Sequence, residues 1–141
     1  MAKVCILGGG FIGRFYADSL CGRRGRDIVT VVYARKEETA IRFAKDYSVP
    51  RYRTDMEEAI AHSESEFVVI ALPNFLHEEA VMLCVKHKKA VLCTKPLGRT
   101  AEEALRMTMA CEEAGVFAGY LEDLCYTPKF LKSVKSVEEG A

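Results

Sequence analysis

Three glycines near the start of the chain have the spacing of a phosphate-binding turn. Gly8, Gly10 and Gly13 form the pattern G-x-G-x-x-G, which follows a short apolar run and opens a helical pattern through Phe11 and Ile12. In such a turn the first glycine permits the tight bend, the second lets a pyrophosphate approach the backbone, and the third allows close packing. The alternative is a glycine-rich turn without a ligand. A strand before the motif and a helix after it favour dinucleotide binding.

A second informative position lies about twenty residues further on, at the end of the second predicted strand. Folds that bind NAD place an Asp or Glu there, on the ribose 2′-hydroxyl. This chain has Ala34 followed by Arg35 and Lys36. A small residue and two cations suit the 2′-phosphate of NADP, so the sequence predicts NADP as cofactor and NAD as second choice. The alternative is a solvated helix start, with Glu37 and Glu38 close to the two cations.

Short β-rich runs alternate with amphipathic helical patterns, as in parallel sheets joined by crossover helices. Strands are predicted at 3–7, 28–34, 50–53, 67–72, 90–93 and 116–120, and helices at 11–21, 37–47, 54–62, 75–87 and 100–114. Two helix starts have capping-box spacing, Thr54 with Glu57 and Thr100 with Glu103. The sequence therefore predicts an α/β Rossmann fold, a doubly wound parallel sheet in three layers with strand order 3-2-1-4-5-6.

The chain contains three further motifs. Their order and spacing, taken together, are more specific to one protein family than any single motif is. The motifs are Ala71-Leu72-Pro73-Asn74 followed by His77, Cys93-Thr94-Lys95-Pro96-Leu97, and Gly119-Tyr120 leading to Pro128. Together with the glycine-rich start, they resemble the Gfo/Idh/MocA oxidoreductases over essentially the whole chain. The resemblance implies an NAD(P)-dependent dehydrogenase of sugars, polyols or related hydroxy compounds.

The resemblance also assigns roles to the loops after the fourth and fifth strands. In that family the loop after the fourth strand lies beside the cofactor, a role that falls here to Leu72, Pro73 and Asn74. A lysine after the fifth strand reaches the nicotinamide ribose and the substrate, which makes Lys95 the candidate catalytic residue. Hydride would pass between a substrate carbinol carbon and the nicotinamide while Lys95 handles the hydroxyl proton. An ordinary surface lysine at a strand end is the alternative.

Four other residues belong to the predicted cofactor contacts, and some have a second interpretation. Thr94 stands where most members of the family have Glu, so it can hydrogen-bond but cannot supply a carboxylate. Pro96 completes the Lys-Pro turn. His77 lies on the first turn of the fourth helix and either faces the cofactor or packs against the sheet edge. Glu122, with Asp123, resembles a polar pair near the nicotinamide amide, and solvated loop acids are the alternative.

The composition argues against several other functions. Twenty basic and twenty acidic residues cancel, which removes the field that draws proteins to nucleic acid or anionic membranes. No apolar run approaches the ~20 residues that span a bilayer. No secretory segment begins at Met1, so we expect a cytoplasmic protein. The six cysteines lack C-x-x-C spacing, and we expect neither a metal site nor disulfides.

Residues 1–126 are predicted to form the NAD(P)-binding domain, and 127–141 a terminal helix leading to a substrate domain absent from this sequence. Because members of the family continue into that domain, we expect this chain alone to be inactive. In the terminal helix the lysines should face water while Phe130, Leu131 and Val134 turn inward. Two alternatives are a stand-alone NADP-binding or redox-sensing module without catalysis, and an interaction domain whose exposed sheet-edge surface joins another subunit. The surface that would meet the second domain also predicts self-association into a homo-oligomer.

Overall fold

A parallel sheet with helices on both faces forms the body of the chain. The computed structural model describes residues 1–23, 25–62 and 64–140. The strands are β1 (Lys3–Leu7), β2 (Ile28–Tyr33), β3 (Arg51–Arg53), β4 (Phe67–Ile70), β5 (Ala90–Thr94) and β6 (Ala118–Leu121). Among the described residues they form one six-stranded parallel sheet in the order β3-β2-β1-β4-β5-β6. The predicted strand order is therefore confirmed.

The crossover helices cover both faces of this sheet. They are α1 (Phe11–Ala17), α2 (Glu37–Asp46), α3 (Met56–Ile60), α4 (His77–Lys86) and α5 (Ala101–Glu113), and a sixth helix, α6 (Pro128–Glu138), follows the last strand. A π-helical segment, Asp18–Arg23, extends α1, and 3₁₀ turns at Asn74–Leu76 and Leu124–Tyr126 precede α4 and α6. Because both faces are covered, the central strands are nearly continuous apolar runs.

Alternate residues of β1 enter two separate cores, because successive side chains of a strand point to opposite faces. Val4 and Ile6 pack with Phe43 on the α1–α2 side. Cys5 and Leu7 face the α3–α4–α5 side, which holds most of the buried apolar side chains. The two cores make the sheet a rigid base for the loops at its ends.

The carboxyl ends of the central strands define where a ligand can enter. Leu7, the last residue of β1, lies opposite Tyr33 in β2 and Ile70 in β4. After β1 the chain continues to β2, toward one edge of the sheet, and after β4 it continues to β5, toward the other edge. The loops following β1 and β4 therefore diverge and leave a crevice between them, as in other doubly wound sheets.

The N-cap of the third helix lies one residue later than the capping pattern predicted. The N-cap of α3 is Asp55, whose Oδ1 accepts a hydrogen bond of 2.8 Å from the Glu58 amide. The predicted capping role of Thr54 is therefore wrong. At the start of α5 the predicted cap is confirmed, because the Thr100 hydroxyl accepts a hydrogen bond from the Glu103 amide at 3.2 Å.

We expect Asp55→Ala to lower the free energy of unfolding by about 1 kcal/mol, because it removes the acceptor for an otherwise unpaired helical amide. Thr54→Ala is the matched control, and its effect should stay within about 0.5 kcal/mol. Urea denaturation followed by circular dichroism measures both values. A larger loss for Thr54→Ala than for Asp55→Ala would restore the original assignment.

The terminal helix α6 exposes its apolar residues. Phe130, Leu131 and Val134 are 47%, 55% and 55% exposed, and no described residue of the helix is buried. The prediction that these side chains turn inward is therefore wrong for this chain. An amphipathic helix buries its apolar stripe only where a second surface meets it, and α6 follows the edge strand β6 without such a surface.

Most of the cysteines are core residues. Cys5, Cys84, Cys93 and Cys111 are buried, and all six cysteines are free thiols. Burial raises the pKa of both Cys84 and Cys93 to about 12, so these thiols stay protonated and unreactive near neutral pH. Within the described ranges, none of the helices has the length and apolar character needed to cross a membrane.

Candidate active site: a cleft at the carboxyl edge of the sheet

The glycine-rich turn joins β1 to α1 in a conformation that its glycines require. Gly8 has φ +116°, in the region that favours glycine, and its amide donates a hydrogen bond of 2.9 Å to the Tyr33 carbonyl. A Cβ at Gly13 would lie 1.8 Å from the Gly8 carbonyl oxygen, so only glycine allows the helix to approach the turn this closely. The structural roles predicted for Gly8 and Gly13 are confirmed.

Gly10 differs from these two glycines because its surroundings are open. A Cβ added there would meet no atom within 4 Å. Gly10 is exposed and is the N-cap of α1, whose first amide groups have no partners within the helix. The space above Gly10 therefore fits the close approach of a phosphate group to backbone N–H donors.

The end of β2 brings Ala34 beside the glycine-rich turn. Ala34 is buried, and an atom at the Cβ position of Gly9 would lie 3.3 Å from the Ala34 Cβ. Arg35 and Lys36 are exposed. Lys36 is the N-cap of α2, and its carbonyl accepts hydrogen bonds from the first turn of that helix. Position 34 thus faces the turn, as a ribose-binding residue would, and both cations remain accessible.

Two cavities at the carboxyl edge share Leu72 and together form the cleft. The first, of about 390 Å³, extends from the glycine-rich turn to the end of β2 and is lined by Gly8, Gly9, Tyr33, Ala34, Arg35, Leu72, Pro73, Phe75 and Leu76. The second, of about 320 Å³, lies over the ends of β4 and β5 and is lined by Phe11, Ile12, Phe15, Tyr16, Ala71, Leu72, Thr94, Lys95, Leu121 and Asp123. Most of the predicted site residues therefore border one or the other of these two neighbouring cavities, which are together called the cleft.

Lys95 lies at the carboxyl end of β5, exposed and lining the second cavity. The neighbouring Thr94 is buried, and its hydroxyl donates a hydrogen bond of 2.8 Å to the Ile70 carbonyl in β4. Thr94 therefore ties the ends of two adjacent strands together. It leaves the ammonium of Lys95 without the neighbouring carboxylate that a Glu at position 94 would supply.

His77 is buried at the start of α4 and lies beneath the cleft. Its ring nitrogens contact the carbonyl groups of Leu72 and of the Pro96–Leu97 turn. This burial favours the packing interpretation, and a direct contact with a cofactor remains a prediction. Asn74 is exposed at the start of the 3₁₀ turn.

The loop after β6 contributes Asp123 to the cavity wall. The Glu122 carboxylate instead accepts a hydrogen bond of 3.3 Å from the Leu124 amide, so the predicted contact of Glu122 with a cofactor remains untested. Burial, followed by the negative charges of Asp123 and Glu122, raises the pKa of the Tyr16 hydroxyl. Tyr16 is therefore a neutral hydrogen-bond donor in the second cavity near pH 7.

Sequence reasoning missed several lining residues, notably Phe75, Phe15 and Tyr16. Phe75 is 56% exposed and lies with Arg35 on the wall of the first cavity. An exposed aromatic side chain beside a guanidinium suits the two faces of a planar base. The available signal was its position two residues after Pro73, in the loop already assigned to the cofactor.

The family comparison matches most of the chain. A family model described as the oxidoreductase family with an NAD-binding Rossmann fold matches residues 2–120. This stretch contains β1, the glycine-rich turn, the Leu72 loop and Lys95.

Related proteins act on polyols according to their names. Inositol 2-dehydrogenase 1 of Mycolicibacterium vanbaalenii is 34% identical over 113 residues, which are 80% of this chain and 33% of that protein. scyllo-Inositol 2-dehydrogenase (NADP(+)) of Bacillus subtilis is 29% identical over 139 residues, which are 99% of this chain and 42% of that protein. The chain thus spans 33% to 42% of the length of these relatives.

Solved structures share the fold. The scyllo-inositol dehydrogenase of Lactobacillus casei with bound NAD(H) and scyllo-inositol has a TM-score of 0.91, over 99% of this chain and 42% of that chain. At 16% identity this likeness supports the fold alone. GenD2 from gentamicin A biosynthesis, in complex with NAD, has a TM-score of 0.88 at 29% identity and covers 96% of this chain and 38% of that chain.

Proposed function

Because the chain belongs to the Gfo/Idh/MocA oxidoreductase family, whose NAD-binding Rossmann region it matches, we propose that it binds NADP, and NAD less tightly, for a dehydrogenase. The observation that carries the proposal is the cleft itself. It extends from Ala34 and Arg35 past the glycine-rich turn to Lys95, and the space above Gly10 is open. These residues fit a dinucleotide along its whole length, with phosphates at the turn and a base at each end.

The proposed preference for NADP rests on the end of β2. Arg35 borders the first cavity, and neither Arg35 nor Lys36 makes an ion pair with any residue that the structure describes. Ala34 leaves room for a 2′-phosphate and carries no charge that would repel it. Glu37 accepts a hydrogen bond from the Tyr52 hydroxyl at 3.4 Å, toward β3. A guanidinium presents a planar fork of donors to phosphate oxygens. One relative named above is NADP(+)-linked, while GenD2 was solved with NAD.

The nicotinamide end of the cleft would lie at the second cavity. When bound there, the cofactor supplies or accepts a hydride at nicotinamide C4. Lys95 is placed to hold the proton of a substrate hydroxyl, because its side chain lines the cavity beside Leu72 and Thr94. Tyr16 lines the same cavity and provides a neutral donor. The aromatic side chains of Phe11 and Phe15 add apolar surface to this end of the cleft.

For the substrate we propose a polyol or sugar, in line with the names of the relatives. Residues 1–126 would hold the cofactor, and 127–141 would lead toward the part of the enzyme that holds the substrate. The exposed apolar side chains of α6 support this division, because such a face is normally covered. In this chain alone it would favour self-association. The comparisons give no support to a stand-alone sensing module.

Nicotinamide fluorescence tests this function in the purified chain. We expect NADPH fluorescence to change saturably on binding, with displacement by NADP⁺ and by excess NAD⁺ but not by ATP. With NADP⁺ as the cofactor, absorbance at the nicotinamide band should stay constant when inositols, sugars and other polyols are added, because the chain spans only 33% to 42% of the length of the inositol dehydrogenases that it matches. Rapid substrate-dependent turnover would contradict the proposed division of labour. Failure of any dinucleotide to displace NADPH would contradict the site.

Lys95→Ala tests the assignment of the nicotinamide end. We expect it to weaken NADPH binding about threefold, because one charged hydrogen bond at an exposed site is lost. Binding of adenosine 2′,5′-bisphosphate, which lacks the nicotinamide and its ribose, should not change. In the intact enzyme turnover should fall by on the order of a hundredfold, as is usual for a lost proton-handling group. Lys132→Ala on α6 is the matched control for loss of a surface charge. Equal affinities for Lys95→Ala and the unaltered chain, together with full turnover, would make Lys95 an ordinary surface lysine.

A further inference from the structure

His77 connects the two loops that border the nicotinamide end of the cleft. It is the first residue of α4, and only 1% of the residue is exposed. Its Nε2 lies 2.9 Å from the Leu72 carbonyl oxygen. Its Nδ1 lies 3.0 Å from the carbonyl oxygen of Pro96 and 3.1 Å from that of Leu97. One ring therefore bridges the loop after β4 and the turn after β5.

These contacts continue where the strands stop pairing. The last paired residues of β4 and β5 are Ile70 and Cys93. Thr94 adds one tie, from its hydroxyl to the Ile70 carbonyl. His77 adds the next, between Leu72 and the turn that follows Lys95. Among the described residues, the pairing of β4 with β5 ends at Ile70 and Cys93, so without the imidazole no sheet hydrogen bond would hold the two loops together.

The chemistry of the ring suits a structural bridge. All three carbonyl oxygens that face the ring are acceptors, and a ring nitrogen that carries a hydrogen donates it to the carbonyl group that it faces. The Cys93 Sγ lies 3.4 Å from Nδ1, and burial raises the pKa of this thiol to about 12. Its nearest side-chain partner is therefore an uncharged thiol. Because the ring is buried, it acts on a ligand only through the loops that it holds.

We propose that His77 is a positioning residue that sets the Leu72 loop and the Lys95–Leu97 turn for the nicotinamide half of the cofactor. The inference rests on the proposed function and extends it to a residue that does not touch the ligand. Both ends of the bridge adjoin the second cavity, because Leu72 and Lys95 line it. The adenosine half lies at the other cavity, next to Ala34 and Arg35. Only one end of the bridge, Leu72, also borders that cavity, so a change at His77 should affect the nicotinamide half more than the adenosine half.

The test compares NADPH with adenosine 2′,5′-bisphosphate, which lacks both the nicotinamide and the ribose that carries it. For His77→Phe, which keeps a ring of similar size but no polar atom, we expect NADPH to bind about tenfold more weakly. Binding of adenosine 2′,5′-bisphosphate should stay within twofold. His77→Gln, which keeps an amide donor and acceptor, should recover part of the loss. Cys84→Ala is the matched control, because Cys84 is buried on the same helix seven residues away and belongs to the core. It should leave both affinities within twofold.

A double variant tests whether His77 acts through the lysine. If His77 positions Lys95, adding His77→Phe to Lys95→Ala should weaken NADPH binding by less than the product of the two single effects. Equal losses for both ligands in His77→Phe, or no loss for either, would overturn the inference. If His77→Phe does not fold, the same ratio is measured for His77→Gln, where an unchanged ratio overturns the inference. If the unaltered chain binds neither ligand, the proposed function itself fails.

Discussion

Replacing Ala34 with Asp should reverse the cofactor preference of the chain. We expect the unaltered protein to bind NADPH about thirtyfold more tightly than NADH, since one well-formed charged hydrogen bond contributes about 2 kcal/mol. In Ala34→Asp the carboxylate would accept a hydrogen bond from the 2′-hydroxyl of NADH and repel the 2′-phosphate of NADPH. NADH should then bind about thirtyfold more tightly. The total change is about a thousandfold in relative affinity, or about 4 kcal/mol.

Two control variants separate the effect of charge from that of size and test the role of the guanidinium. Ala34→Asn has the shape of the Asp variant without its charge, so it should weaken NADPH less. Arg35→Ala should bring the two affinities together without reversing them. Because Ala34 is 5% exposed, a new carboxylate there also destabilises the free protein, and the stability of each variant is measured beside its affinity.

Calorimetry at low salt measures both affinities directly. The NADPH preference should shrink as salt is added, because Arg35 is exposed and its charge is screened. Equal or tighter binding of NADH to the unaltered chain would show that Arg35 and Lys36 serve only as the solvated start of α2.

Gly13→Ala should lower the stability of the protein, whereas Gly10→Ala should keep the stability and weaken NADPH binding. At Gly13 a Cβ would lie 1.8 Å from the Gly8 carbonyl oxygen and 3.0 Å from the carbonyl carbon, both backbone atoms. The turn cannot yield without disturbing the Gly8–Tyr33 hydrogen bond. We expect a loss of about 3 kcal/mol or more in the free energy of unfolding, since overpacking against backbone cannot relax through a side chain.

At Gly10 the added methyl group meets open space, and the backbone is extended with φ −83°. Stability of Gly10→Ala should stay within about 0.5 kcal/mol of the unaltered chain. NADPH affinity should fall at least tenfold, because the methyl group occupies the space where the pyrophosphate approaches the backbone. Thermal unfolding and NADPH titration measure both quantities. A stable Gly13→Ala protein, or full NADPH affinity in Gly10→Ala, would contradict the roles assigned to these glycines.

The strand order could be predicted because local patterns and global topology agree. Strands β1, β2, β4 and β5 are mainly apolar runs of the right length, the crossovers have a helical period, and the glycine motif marks the first turn. The different roles of Gly8 and Gly13 followed from the same motif. The same motif predicted that the chain at Gly10 would leave room for a ligand, and the space above Gly10 is open.

The register of α3 illustrates what local sequence leaves undecided. Thr54 and Asp55 are both good caps, and each has a Glu three residues later, so the motif fits two registers. Packing selects between them. A helix beginning at Met56 turns Met56, Ala59 and Ile60 into the core, at the spacing of one helical face. That choice depends on tertiary contacts that no capping motif contains.

Long-range contacts explain the other differences. The two interpretations of His77 could not be separated because its partners lie up to twenty residues further along the chain. The exposure of α6 depends on which surface meets the helix, and an amphipathic pattern does not specify that surface. Asp123 and Phe75 line the cleft through the path of their loops, which strand patterns do not determine.

Amide chemical shifts during a titration with NADPH test the central claim most directly, because they report both binding and its location in a chain of 141 residues. We expect saturable shifts confined to the carboxyl edge of the sheet, at 8–13, 34–36, 72–77 and 94–97. NADP⁺ should give the same pattern, with differences only near Lys95. No shifts at millimolar NADPH, or shifts that map to the opposite edge of the sheet, would contradict the account that this cleft holds a nicotinamide dinucleotide.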